Sequence, residues 1–599
     1  MKKTVNEKWV VQESQRFSEL NLGPDAQLEA PAGKRLTMTV DGVGLPMEPG
    51  RYTGDVRLTL TDEFVVRTVR FGEITDASYR MGVCMKDGHY LPACSVQSAV
   101  RGGEVRDGYV SGVAIDSREW DFNGIYVTGS GEYVVDDVRI ELEGDGTDDF
   151  VGLGAAIAAS GDAKLTINRA AIHTKGITRG ALFAGGNSRV TVNDSELSLV
   201  SYVPSAEQLE AGKKLQRMME PPWSMSIRGN GRTTNLAECG QLTLNRCHVT
   251  SNSWGVLSVD GARVNRMYVR DSKIELLGES GYGAFSIADD LCYDYAGFGD
   301  WGCMDVFDHS EIRVPTYGII MSLGTAGGEF KNGSRLYSGR HGAFIFRNCG
   351  ILKVNSGAAF YTKGCSFLVK GSNVRIEADD AILEPENGVI LRLMDNDDTG
   401  MEGFPFIVPV GVEDPKEESR DLFHAQADED VFFSLSDMTA AGDIFNSTTN
   451  IKACMNVPPK PADAPPLPDP GQIRGFIGDG LQGAKNLDIK LTHAVLKGRI
   501  SSAKAAYASG VTLITKENCE ELGEITETPS HAVNNGVIVH MDGRSVWTVT
   551  GSCFLTSLTL EEGSSIQAPE GKKLALWVDG NRCEIEAGTY QGAIELRVE

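Results

Sequence analysis

No run of about 18 consecutive apolar residues occurs in the 599-residue chain, so no membrane-spanning helix is expected. The opening residues, Met1 to Trp9, lack the apolar core of a secretory signal. Basic residues are in deficit: 57 Lys and Arg stand against 82 Asp and Glu, a formal charge of −25. That balance speaks against sustained contact with nucleic acid or an anionic membrane surface. The 12 cysteines are scattered, with no CxxC or similar ligand pair, so a structural zinc site has no support. A P-loop, a dinucleotide fingerprint between strand and helix, and a GxSxG elbow are also missing. These absences predict a cytosolic protein with no nucleic-acid or membrane partner and no cofactor.

What the chain does have is repetition. Ala156-Ile157, Gly161, Leu165, Ile167, Asn168 and Ile172 recur in the same frame as Ala181-Leu182, Gly186, Val190, Val192, Asn193 and Leu197. The frame returns at Leu242-Thr243-Leu244-Asn245, ending on Val249, and again at Met267-Tyr268-Val269-Arg270, ending on Ile274. Alternation with period 2 means strand, and a unit this short cannot be a helical pair. Stacked copies of two or three short strands make a coil of parallel sheet. The 69 glycines fit a chain that turns every few residues.

The segments Asn168-Arg169-Ala170-Ala171-Ile172, Asn193-Asp194-Ser195-Glu196-Leu197 and Asn245-Arg246-Cys247-His248-Val249 resemble rungs of a right-handed parallel β-helix. That is the all-β fold of pectate lyases, polygalacturonases and their relatives, in which stacked asparagines line a tight bend. The resemblance covers most of the chain as architecture, and the fold hosts lyases, hydrolases, isomerases and adhesins alike. In pectate lyases an arginine abstracts the proton beside a uronate carboxylate, so the resemblance would give that part to Arg228 or Arg232. The family's calcium-binding aspartates do not align here, and the polygalacturonase motifs are missing, since Arg340 and not Gly precedes His341-Gly342. Gly144-Asp145-Gly146-Thr147-Asp148-Asp149 resembles a segment that is structural in secreted pectinase relatives. As a calcium loop it lacks the closing Glu of an EF-hand.

Residues 9–58 align without a gap onto 547–596: Trp9 on Trp547, Ala30-Pro31 on Ala568-Pro569, Val40-Asp41-Gly42 on Val578-Asp579-Gly580, Tyr52 on Tyr590. The expected plan is therefore a β module at 1–61, a parallel β-helix over 62–455 and further β coils at 473–546. A second copy of the module would follow at 547–599. Insertions are expected at 202–223, 289–308 and 393–436, and a proline-rich connector at 456–472. In the first insertion, Ser205 to Leu215 is the best short helix of the chain. The paired modules would either cap exposed sheet edges or join chains into a homo-oligomer.

Three constellations carry candidate chemistry. Trp254, Tyr282, Tyr317 and His341 each open a coil beside a glycine, so one column of rings would face a sugar or an aromatic compound. Tyr317 and His341 would then serve as proton carriers. The same column would also arise from an aromatic ladder packed under an insertion. Asp395 and Asp397 leave the end of strand 389–393, where paired carboxylates would do acid/base work or bind a hard cation such as calcium. Arg228 and Arg232, among Asn and Gly, would anchor an anionic group. The reading is a lyase, isomerase or hydrolase acting on a small polyhydroxylated or aromatic ring compound. Its alternative is a non-catalytic scaffold assembled through its duplicated ends.

Overall fold

The computed structural model describes residues 1–70, 73–208, 230–262, 264–279, 281–287, 302–322, 326–339, 342–347, 354–356, 359–361, 374–394, 431–449, 486–510, 521, 524–533 and 535–599. Strands make up nearly all of its regular structure, and long parallel sheets dominate, so the chain is all-β. It divides into two compact units, Met1–Pro221 with Gly229–Gly278, and Pro222–Arg228 with Glu279–Glu599.

In the first unit the repeated segments visit three sheets in turn. Lys164–Asn168 pairs parallel with Arg189–Asn193, which pairs with Gln241–Asn245 and then Val264–Arg270. Ala171–Lys175, Glu196–Val200, His248–Ser251 and Lys273–Leu276 stack in a second sheet. Ile157–Ala159, Leu182–Ala184, Arg232–Glu238 and Trp254–Ala262 form a third. The alternation has the expected result: Leu165, Val190, Leu242 and Met267 form one buried column, and Ile167, Val192, Leu244 and Val269 the next. Each such side chain contributes roughly 1.5–3 kcal/mol on burial, and the columns are the core.

The bend between the first two sheets explains the Asn-polar-small signature. Asp137, Arg169, Asp194, Arg246 and Asp271 all take left-handed backbone, with φ of 49–53°. The bend N–H of each rung donates to the next: Asp137 to Asn168 O at 2.9 Å, Arg169 to Asn193 O at 3.0 Å, Asp194 to Asn245 O at 3.0 Å. Ahead of the bend the asparagine amides form a ladder that ends on a carboxylate. Asn245 donates to Asn193 (2.9 Å), Asn193 to Asn168 (2.8 Å), and Asn168 to Asp136 (2.6 Å). After it, Ser195 Oγ takes the Ala170 N–H and Ser272 Oγ takes that of Cys247, so the small residue closes the turn. Left-handed arginine is uncommon. Here Arg169 chelates Asp137 (2.7 and 2.9 Å) and Arg246 chelates Asp194 (2.6 and 2.7 Å), stacking alternate charges along the corner. The same corner separates Glu132–Asp136 from Arg139–Glu143 in the preceding rung.

The outer face of the third sheet is buried as well. Tyr79, Met81, Cys84, Tyr126, Val151, Ala158 and Phe183 share one apolar cluster, with Phe64 and Val66 packed against it. Residues 206–208 are helical as expected, and Ser205 and Gln208 cap each other reciprocally, at 3.2 and 2.9 Å.

In the second unit Gly302–Asp308 and Ala326–Lys331 pair parallel, with Phe307 and Phe330 stacked at 4.7 Å. Val374–Asp379, Val431–Ser436, Leu487–Thr492 and Val537–Met541 follow in parallel register. Two of these strands, Gly302–Asp308 and Val431–Ser436, lie in segments that the sequence marks as excursions. Their apolar alternation is short and sits beside acidic stretches that mask it. The rest of those excursions that precedes these strands (289–301 and 395–430), residues 209–223 and the proline-rich connector lie outside the described residues.

The duplicated modules match strand for strand. Gln15–Leu22 runs antiparallel to Gly50–Asp62, as Cys553–Leu560 does to Gly588–Val598, and both pairs carry a bulge at the same place. Lys34–Val40 and Val43–Leu45 form a hairpin over Asp41-Gly42, and Leu574–Val578 and Asn581–Cys583 repeat it over Asp579-Gly580. All four turn residues have positive φ, the conformation that a two-residue hairpin turn demands.

Candidate acid/base site

The second sheet of the first unit presents a polar outer face over an apolar inner one. Ile140, Ile172, Leu197, Val249 and Ile274 are buried in one column. The residues on either side of each must point the other way. One outward column reads Arg139, Ala171, Glu196, His248, Lys273, and the other reads Glu141, His173, Ser198, Thr250, Glu275. Parallel register at about 4.8 Å per rung places unlike polar groups side by side with little freedom.

Three contacts organise this face. His248 Nε2 and Glu275 Oε2 are 2.7 Å apart, Lys273 Nζ lies 2.8 Å from Glu275 Oε1, and His173 Nδ1 is 2.7 Å from Ser198 Oγ. The Glu275 side chain is 14% exposed and that of His248 44%, so the carboxylate is sheltered and the imidazole presented. Burial raises the Glu275 carboxyl, but the hydrogen bonds from Lys273 and His248 outweigh it and hold the group below its ordinary value. Glu275 is therefore ionised at neutral pH and accepts the Nε2–H of His248. In the neutral ring that leaves the lone pair on Nδ1. No described residue bonds this nitrogen, which makes it a candidate general base.

The residues singled out from the sequence fall elsewhere. Tyr282 and Tyr317 are partners in adjacent strands, and the next strand sets Gly342 opposite Tyr317, one residue beyond His341. This register places Phe344, not Ala343, opposite the buried Ile319. Tyr317 is buried, and His341, Arg228, Asp395 and Asp397 lie outside the described residues. Trp254 is buried too, at the unusual φ of 57°. The Arg232 guanidinium lies 4.9 Å from the Phe150 ring centre and 5.1 Å from that of Trp254, and its Nε donates to Asp149 Oδ2 at 2.6 Å. The side chain is 1% exposed, and its charge serves the loop that it ties down.

That loop is the glycine- and aspartate-rich segment 144–149. Asp145 Oδ1 accepts the Ile177 N–H (2.9 Å) and the Tyr202 hydroxyl (2.7 Å), and Thr147 donates to Asp121 (2.8 Å). Asp148 accepts the Phe150 N–H at 3.0 Å. Beneath it the buried Arg179 donates to the carbonyls of Phe122, Gly144 and Glu119, and burial brings its guanidinium down to about 10. Among the described residues no group of three or more His, Cys, Asp or Glu is placed to hold a metal ion.

The His248–Glu275 pair was visible in outline. The repeat frame names Val249 and Ile274 as inward aliphatics, so their flanking residues had to face outward. A pattern of apolar positions directs attention inward, and these polar neighbours pass as solvated surface.

Comparison with protein-family models, with curated proteins and with solved structures finds no match.

Proposed function

We propose that the chain is a cytosolic enzyme, built as a right-handed parallel β-helix, that takes a proton from a small polyhydroxylated acid in a lyase or isomerase reaction. Three sheets visited in a fixed order, each strand parallel to its counterpart in the next repeat, support the coil. The right hand follows from the rule for crossovers between parallel strands. Cys84, Cys94, Cys247, Cys553 and Cys583 are all thiols, which suits a reducing compartment.

The observation that carries the reaction is the 2.7 Å bond by which Glu275 fixes the His248 ring. His248 Nδ1 would remove a proton from the substrate, and Glu275 would stabilise the imidazolium formed. A positioned base of this kind is worth about 10²–10⁴-fold in rate. Lys273 supplies positive charge for a substrate carboxylate, and Ser198, His173 and Glu196 supply hydrogen bonds to hydroxyls. Hydrolysis by paired carboxylates would need two acids across a scissile bond. The base that a sheltered carboxylate holds in place on this face is a histidine, which favours proton abstraction.

His248→Gln keeps a polar side chain at the position and removes the base. The expected outcome is turnover of a sugar acid, followed by proton NMR, reduced about 10²–10⁴-fold with an unchanged melting temperature. Full activity in the variant would end this assignment. The scaffold alternative would gain if no polyhydroxylated compound stabilised the wild-type protein.

A further inference from the structure

Cys84 lies in the strand Glu73–Lys86, buried in the apolar cluster over the third sheet, and Cys94 closes the short helical turn Pro92–Cys94 that packs on the same cluster. The backbone holds the two together from both sides. Leu91 N donates to Cys84 O at 2.8 Å, Cys84 N donates to Ser95 Oγ at 2.9 Å, and Cys94 N donates to Leu91 O at 3.1 Å. The turn carrying Cys94 is thus pinned to the backbone of Cys84, which brings both thiols to one apolar cluster. They are unlike: Cys84 is fully buried and Cys94 half-buried.

We propose that Cys94 and Cys84 form a reversible intramolecular disulfide when the chain meets a peroxide, with Cys94 attacking and Cys84 resolving. The Cys94 thiolate attacks one peroxide oxygen; an S–O bond forms, the O–O bond breaks, and hydroxide leaves to be protonated as water. Cys84 then attacks the Cys94 sulfenic acid; the S–S bond forms, the S–O bond breaks, and the Cys84 proton leaves with hydroxide as a second water. Two electrons pass from the sulfurs to the peroxide.

The asymmetry suits these roles. The bond from Cys84 brings the Cys94 thiol down to about 7, against burial and Asp62, with Lys34 helping. The same bond, then burial, drives the Cys84 thiol far up, so it stays protonated until a sulfur electrophile forms beside it. Apolar packing on Cys84 keeps peroxide from that thiol, so the first attack falls to Cys94. The closed bond would tie the turn Pro92–Cys94 to the strand Glu73–Lys86.

The test treats the reduced full-length chain with hydrogen peroxide, alkylates remaining thiols and maps peptides by mass. The proposal expects one cross-linked peptide pair, containing Cys84 and Cys94, lighter by two hydrogens and restored by dithiothreitol. Cys84→Ser should leave a sulfenic acid on Cys94 that a dione probe captures, and Cys94→Ser should leave Cys84 unreacted. The pH profile of Cys94 alkylation in the wild type, which does not depend on the variants folding, should have its midpoint near 7. Sulfinic acid on Cys94 with Cys84 still a thiol would overturn the proposal. So would bonding of Cys94 to a different cysteine, or an alkylation midpoint above 8.5, the value of an ordinary thiol.

Discussion

The two copies of the terminal module fold alike and join their neighbours by opposite edges. In the first copy the last hairpin strand, Val43–Leu45, pairs parallel with Ala114–Ser117, and the leading strand Gln15–Leu22 meets the short Lys2–Val5 on its other side. In the second copy the leading strands receive the repeats. Cys553–Leu560 pairs with Val537–Met541, and Val546–Val549 pairs with Val495–Gly498. Its last hairpin strand, Asn581–Cys583, has no second neighbour among the described residues. One backbone plan thus serves in both units, and the side chains record which edge is in use. Gly44 sits where a Cβ would come within 2.5 Å of Ser117 Oγ, and its counterpart at the open edge is the exposed Arg582. A charged residue on an unpaired strand discourages further pairing, which favours capping over assembly through that edge.

The tryptophans should break this symmetry most strongly. Trp547 is fully buried and donates its Nε1–H to Gly498 O at 2.9 Å, because a repeat strand stands beside it. Trp9 is half-buried, with Lys3 over its ring at 3.8 Å and Phe17 edge-on. Trp547→Ala should cost about 3–5 kcal/mol in urea unfolding, the range of a large core truncation. Trp9→Ala should cost about 1 kcal/mol, since much of its surface is already wet. Equal losses would mean that the neighbouring strand does not set the environment.

Next in size is the exchange at the hairpin edge. Gly44→Arg pushes a side chain into Ser117 across a paired strand and should cost about 1–3 kcal/mol, as overpacking does. Arg582→Gly should stay within about 0.5 kcal/mol, as surface changes do. If Arg582→Gly also turned a monomer into a larger species in light scattering, the arginine would be shown to guard the edge. An assembled wild-type protein would instead support the oligomer reading.

The smallest expected effect is on pH. In the first copy Glu19 is held below its ordinary value by Lys2 and Arg51, and Asp55 by Arg57 and Arg16. Ser557 and Ala593 replace these acids in the second copy, where Arg597 holds Glu595 low. A depressed folded-state value adds stability above the unfolded value, and that stability is lost as pH falls through the folded one. Hydrogen exchange corrected for intrinsic rates should therefore show 15–22 losing protection before 553–560 as pH drops below about 4. Simultaneous loss would show that these ion pairs add nothing measurable.

Much of this comparison is legible in the sequence. The gapless match of residues 9–58 to 547–596 gives the shared plan, and Asp-Gly marks both hairpins. Which edge each copy uses was not legible, because pairing between distant strands leaves only side-chain traces such as Gly44 against Arg582. The repeat frame likewise yields the inward columns and the asparagine ladder. Left-handed Arg169 and Arg246 were hidden, since an arginine enters that bend only when an aspartate of the preceding rung chelates it. The candidate site shows the same limit. His248 and Glu275 lie 27 positions apart and meet because the rungs are in register. Arg232 was read as an anchor for a ligand, and a loop 83 positions away supplies its partner, Asp149.

The most direct test of the acid/base reading is a thermal-shift screen of sugar acids and neutral polyols on the wild-type chain and on His248→Gln and Glu275→Gln, with turnover followed by NMR. A ligand that binds only the folded chain stabilises it by about 2.7 kcal/mol at a hundred times its dissociation constant. The account predicts that a sugar acid raises the wild-type midpoint and is converted, and that His248→Gln still binds it without converting it. Conversion at the wild-type rate by His248→Gln, or no stabilisation by any compound, would contradict it.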